Sequence, residues 1–166
     1  MQGASDPVDF DAFLLSVGKL NYTWTNTESL LIHLIAGLSG MDKEAATIVF
    51  LTLNTTRARL DLVDRFAKLE RTSHAERTAV LDLTKRIRAQ ATLRNRYNHC
   101  IYAFDSDGGH PRSILMRIAD RRDSLKIGQA LDLDMAAAQD VAEAIDEIAS
   151  INRGIWKTVK EFNYPV

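Results

Sequence analysis

Residues 10–38 read FDAFLLSVGKLNYTWTNTESLLIHLIAGL. Within them Phe10, Leu14, Val17, Asn21, Trp24, Glu28, Leu31, Ile35 and Leu38 recur at alternating spacings of four and three. That period lines one face of an α-helix and predicts a single unbroken amphipathic helix of roughly four heptads. Asp6-Pro7 marks its start, with an acid before a first-turn proline. Two members of the stripe, Asn21 and Glu28, are polar and flank Trp24. Buried without partners, such groups cost roughly 1–3 kcal/mol each, more if charged. They therefore either fix helix register or face a functional cavity.

Working outward, Ser39-Gly40 ends this helix and Asp42 caps a second one carrying Ala45, Ile48, Val49 and Leu51. Asn54-Thr55-Thr56 is a break or a new cap. A third helix carries Leu60, Val63, Phe66 and Leu69, and its Arg57, Arg59, Asp61, Asp64 and Arg65 read as solvated surface. Ser73 with Glu76 forms a capping box opening a fourth helix, whose inner face is Val80, Leu83, Ile87, Arg94 and Ile101. The turn Asp105–Pro111 is expected to close that helix. It resembles the start of a calcium loop but lacks the third acid and the closing glutamate, so no metal site is expected there. From Ile114 to Leu131 the apolar period becomes two, which predicts a β-hairpin at about 113–131. Asp132 or Asp134 then caps a last long helix, with Val141, Ile145, Ile148, Asn152, Ile155, Val159 and Phe162 as its stripe and Trp156 adjacent. The expected fold is mostly α: an antiparallel bundle of about five helices, in one domain over 1–166, with one small hairpin before the last helix.

Composition narrows the function classes. Hydrophobic residues make up 46% and charged residues 26% of the 166, as in ordinary globular proteins. The formal net charge of −1 provides no global field for nucleic acid, so polyanion binding requires a local patch. A single cysteine, Cys100, gives neither an internal disulfide nor a zinc framework, and beside His99 it reads as a small buried thiol. The first residues lack a basic segment followed by an apolar run, and the greasiest stretch, Leu30–Leu38, is too short to span a bilayer. The expected compartment is the cytoplasm, with no membrane partner. No Glu-x-x-His pair is present, which argues against a di-metal carboxylate bundle.

The chemistry concentrates in Leu93-Arg94-Asn95-Arg96-Tyr97-Asn98-His99, read as the end of the fourth helix. In helical register Arg94 neighbours Asn98, Asn95 neighbours His99, and Tyr102 lies one step on. Lys85, Arg86, Arg88, Arg94 and Arg96 form a basic segment that either guides an RNA backbone or is a solvated face. Tyr97 and Tyr102 either stack bases or pack the bundle.

The spacing Arg94-Asn95-x-x-x-His99 resembles the Arg-x4–6-His signature of the HEPN family, including the polar residue after the arginine. The resemblance implies a helical bundle and, as in many members, a metal-independent ribonuclease whose two motif copies meet in a homodimer. It implies His99 as acid/base, Arg94 as phosphate clamp and Asn95 in support. Asn98, Tyr102, Glu28, Asn21 and Trp24 would be supporting or substrate-binding, with Glu28 neutralising Arg94 or holding His99. No cofactor or metal is implied. RNA or nucleotide is the expected ligand, and a toxin or phage-defence setting brings an antitoxin or other protein as a further partner. Some members bind without cutting, so a non-catalytic module for nucleotide, RNA or a protein is the alternative.

Overall fold

The computed structural model describes residues 8–166. In chain order these form α1 (Phe10–Ser29), α2 (Leu31–Ser39), α3 (Lys43–Thr52), α4 (Thr56–Ala67), α5 (His74–Asn98), β1 (Cys100–Ala103), β2 (Arg112–Arg121), β3 (Ser124–Asp132) and α6 (Met135–Glu161). The fold is mostly helical, with a small antiparallel sheet of order β1-β2-β3. The chain groups into two compact units. The first holds the described residues up to Tyr22 together with Thr92–Ile145, and the second holds Thr23–Ala91 with Asp146–Val166.

The helix starts obey the capping rules. Asp42 Oδ1 accepts from Ala45 N at 2.8 Å, Thr55 Oγ1 from Ala58 N at 3.1 Å, and Asp134 Oδ1 from Ala137 N at 2.9 Å. Ser73 and Glu76 form the reciprocal capping box. Gly40 ends α2 at φ 79, a left-handed conformation that suits glycine. The expected start at Asp6-Pro7 lies outside the described residues. Within them, Asp9 Oδ1 accepts from Ala12 N at 3.0 Å.

Two expectations are corrected. The helix expected over 10–38 is broken at Leu30, where Leu30 N bonds Thr27 O and His33 N bonds Leu30 O, both three residues back. This tighter step rotates the residues beyond it, and neither proline nor glycine marks it. Val17, Trp24, Leu31, Ile35 and Leu38 of the expected stripe are buried, but Phe13, Leu20 and Thr27 are buried in place of Leu14, which is exposed, and of Asn21 and Glu28, which sit half-buried beside the stripe. Its polar member is Thr27, 2% exposed, whose Oγ1 accepts from Asn152 Nδ2 at 3.1 Å.

The second correction concerns α5, which stops at Asn98. Residues 100–103 leave the helix and form β1 instead. Ile101, expected on the inner helix face, is 51% exposed on that strand. Asn98 and His99 are weak helix formers, Ile101 and Tyr102 tolerate a pleated surface, and pairing with β2 holds the strand. The Asp105–Pro111 segment therefore joins β1 to β2 rather than closing the helix.

The hairpin lies where the alternation places it, and β1 makes it a three-stranded sheet. Ile118 faces Ile127 and Leu115 faces Gln129, with an irregularity between these pairs that sets Met116 and Arg117 against Gly128. Gly128, the single residue opposite the pair, has φ 75, a left-handed conformation that suits glycine. In the second unit the core gathers Leu31, Leu34, Ile35, Leu60, Val63, Val80, Ile148, Ile151 and Ile155. There Tyr164 Oη donates to Glu76 Oε1 at 2.6 Å, and burial followed by this carboxylate pushes the phenol above its ordinary range.

Candidate functional site

The sequence-expected residues divide between the two units. Arg94, Asn95, Asn98, His99, Tyr102 and Asn21 belong to the first, and Trp24 and Glu28 to the second.

In the first unit the last turn of α5 carries Arg94, Asn95 and Asn98, and His99 follows in a bend. Arg94 Nη1 donates to Asn95 Oδ1 at 3.0 Å, so the residue after the arginine braces its guanidinium. Arg94 is half-buried, while Asn95, Asn98 and His99 are exposed. The backbone N–H of His99 reaches the Arg96 carbonyl, three residues back, at 3.3 Å. Helical register with Asn95 therefore lapses at the histidine. Its imidazole makes no side-chain hydrogen bond among the described residues and is open to solvent.

Behind this surface lies an aromatic support. Tyr97 is buried and meets Phe13 edge-on, with centroids 5.3 Å apart. Tyr102, on β1, meets Phe10 in the same manner at 5.3 Å. Burial pushes the Tyr102 phenol above its ordinary value, and Cys100, two residues back on the same strand face, adds to the shift. Burial also raises Tyr97, with the Arg96 charge opposing it. Cys100 Sγ donates weakly to Tyr97 O at 3.7 Å. Several polar atoms here lack partners among the described residues: Arg96 Nε and Nη2, Tyr102 Oη, Ser113 Oγ and Asn21 Oδ1. The Asn21 amide nitrogen is satisfied by Val17 O at 3.2 Å.

In the second unit Glu28 serves a different set of partners from those expected. Oε1 accepts from Arg59 Nη1 at 3.0 Å and Thr56 Oγ1 at 2.6 Å, and Oε2 accepts from Trp24 Nε1 at 3.1 Å. The expectation that Glu28 neutralises Arg94 or holds His99 gives way to this local cluster. Arg59 also caps the α3–α4 connection, donating through Nε to the carbonyls of Phe50 and Leu53, and its guanidinium lies 3.9 Å from the Phe50 ring centroid. Its side chain is only 18% exposed, so the solvated-surface reading fails for it. A gap beside Trp24, Thr27 and Glu28 has a volume of ≈ 10 Å³, at most the space of one water. A larger surface groove of ≈ 290 Å³ is lined by Trp156, Val159, Lys160, Asn163, Tyr164 and Val166, none of them a candidate residue.

Two members of the basic segment of α5, Arg86 and Arg88, are paired with acids. Arg86 bonds Glu147 at 2.7 and 3.1 Å and Ser150 at 3.1 Å, and Arg88 bridges Asp61 at 2.9 Å and Asp64 at 2.8 Å. The hydrogen bond to Arg86 holds the Glu147 carboxyl below its ordinary value. Among the described residues no group of three or more His, Cys, Asp or Glu is placed to hold a metal, and no helix is long and apolar enough to cross a membrane. The sequence matches no protein-family model, and no curated protein and no solved structure shows significant similarity to this chain.

Proposed function

We propose that the chain is a HEPN-like, metal-independent endoribonuclease that works in the cytoplasm as a homodimer, with toxin or phage defence as its setting. The observation that carries the reading is the segment Arg94–His99, in which an asparagine-braced guanidinium is followed within five residues by a solvent-open imidazole.

The chemistry asks for those groups. Neutral histidine takes the 2′-hydroxyl proton near pH 7. The 2′-oxygen then attacks phosphorus, the bond to the 5′-oxygen breaks, and that oxygen takes a proton from a second, protonated histidine. In a homodimer the partner's copy of the motif supplies the second imidazole. Arg94 stays charged throughout and stabilises the oxygens of the phosphorane with its planar fork. The products are a 2′,3′-cyclic phosphate and a 5′-hydroxyl, and no metal or cofactor takes part.

Incubating the purified protein with total RNA and excess chelator tests the proposal. Cleavage leaving cyclic phosphate ends, lost in both His99→Ala and Arg94→Ala, is the expected result. Equal cleavage by the parent and both variants would sink it. Binding without cleavage would instead favour a non-catalytic module for RNA, nucleotide or a protein partner.

A further inference from the structure

The β2–β3 ribbon has two chemically different faces. Cross-strand register places Ile118 with Ile127 and Asp120 with Leu125 on one of them. The other carries Ala119 opposite Lys126 and Arg121 opposite Ser124, with Arg117 two residues before Ala119. Arg117, Lys126 and Arg121 therefore stand at three successive levels of one face. At about 3.3 Å per residue the levels are roughly 6–7 Å apart, so the row is roughly 13 Å long. All three side chains are exposed, and none joins an ion pair or a side-chain hydrogen bond among the described residues. Asp132 is the acid on this face, opposite Arg112 at the far end of the ribbon. Arg122 and Asp123 cancel in the turn.

We infer that this cationic face, Arg117, Arg121 and Lys126, seats the phosphate backbone of single-stranded RNA. The net charge of −1 means that polyanion affinity must come from a local patch. The other sequence-visible patch, on α5, has Arg86 and Arg88 committed to acids. A row of cations at successive levels of one ribbon face follows an extended polyphosphate. A bilayer is a poorer fit, because membrane-surface elements set apolar anchors beside their cations. Here Ile118, Leu125 and Ile127 lie on the opposite face from the basic row, and Met116, exposed in the bulge next to Arg117, is a lone apolar side chain at its edge. No aromatic side chain stands among the three cations, so the contact reads charge and not sequence.

The inference takes only the identity of the polymer from the proposed function, and its test reads binding. Affinity for a fluorescently labelled single-stranded uridine oligonucleotide is measured on His99→Ala protein, so that nothing is cut. The slope of log affinity against log salt is recorded as well. With Arg117→Glu, Arg121→Glu and Lys126→Glu combined, affinity is expected to fall at least tenfold and the slope to flatten by about 2, since each lost contact with a single strand removes about 0.7. The milder triple change to Gln gives the same trend, with an unchanged melting temperature as the folding check. The control reverses Lys43, Lys68 and Lys157, three exposed lysines outside the ribbon and the α5 segment, to Glu. Equal losses in control and ribbon variants, unchanged binding by the ribbon variants, or binding to phosphatidylserine vesicles in preference to RNA each overturn the assignment. If the parent cuts RNA while the ribbon variants bind normally, the nuclease stands and this site falls. If nothing is cut but the ribbon variants lose binding, the site stands and the nuclease falls.

Discussion

The cluster around Glu28 and the segment around His99 both gather polar side chains, and they differ in how their hydrogen bonds are accounted for. Both oxygens of Glu28 are occupied, and Arg59 bonds the carboxylate and the carbonyls of Phe50 and Leu53 at the end of α3. Such a closed set fixes how α3 and α4 join and leaves no group to act on a ligand. The other segment carries an exposed imidazole and, close to it in the chain, buried nitrogens of Arg96 without acceptors among the described residues. Polar groups that satisfy one another serve stability, and groups held without that satisfaction are available for chemistry.

The largest effect is expected from His99→Ala: RNA cleavage falls by about 10²–10⁴-fold, the range for losing a general acid or base. Its stability stays within about 0.5 kcal/mol of the parent, because the side chain is exposed and bonds nothing among the described residues. Glu28→Ala should do the opposite, with intact chemistry per folded molecule and a loss of about 2–4 kcal/mol as Arg59 and the Trp24 N–H lose their acceptor. Thermal unfolding would then shift down by roughly 5–12 °C. An unchanged melting temperature would show that the cluster does not hold the fold.

Arg96→Met probes the open region from the other side. Replacing a guanidinium with two unpartnered buried nitrogens by an apolar chain of similar reach should leave stability unchanged or raise it by about 1 kcal/mol. A clear loss, read by denaturant titration, would mean that Arg96 is already satisfied. The smallest effect concerns Glu147. Its carboxyl is held below the ordinary 4.5 by Arg86, so the native state binds its proton less readily than the unfolded chain. The pair's contribution is present above that value and fades as pH falls through the lowered one. Both side chains are about one-third exposed, which limits the contribution to about 0.2–1 kcal/mol. Glu147→Gln should flatten the acid limb of the stability–pH curve by that much and leave neutral pH nearly unaffected beyond the loss of the pair.

Much of this was legible in the chain. The caps at Asp42, Thr55, Ser73 and Asp134 act through neighbouring backbone, and the hairpin declares itself by alternation. The exposed motif at Arg94–His99 was equally visible as a spacing. The break at Leu30 was not, because the tightened turn there lacks any glycine or proline to announce it. The end of α5 was misread for a related reason: Ile101 continues the helical period as well as it fits a strand, and pairing with Ile114 decides between them.

The mostly helical class and the hairpin follow from propensity and period among residues close in the chain. Which charges meet a carboxylate follows from packing between distant elements. Arg59, Arg86 and Arg88 look in sequence like Arg117 and Arg121, yet the first three meet carboxylates from other helices and the last two meet none among the described residues. A charge's role depends on what lies a few ångströms away in space, and residues 24 to 61 positions apart in the chain supply it.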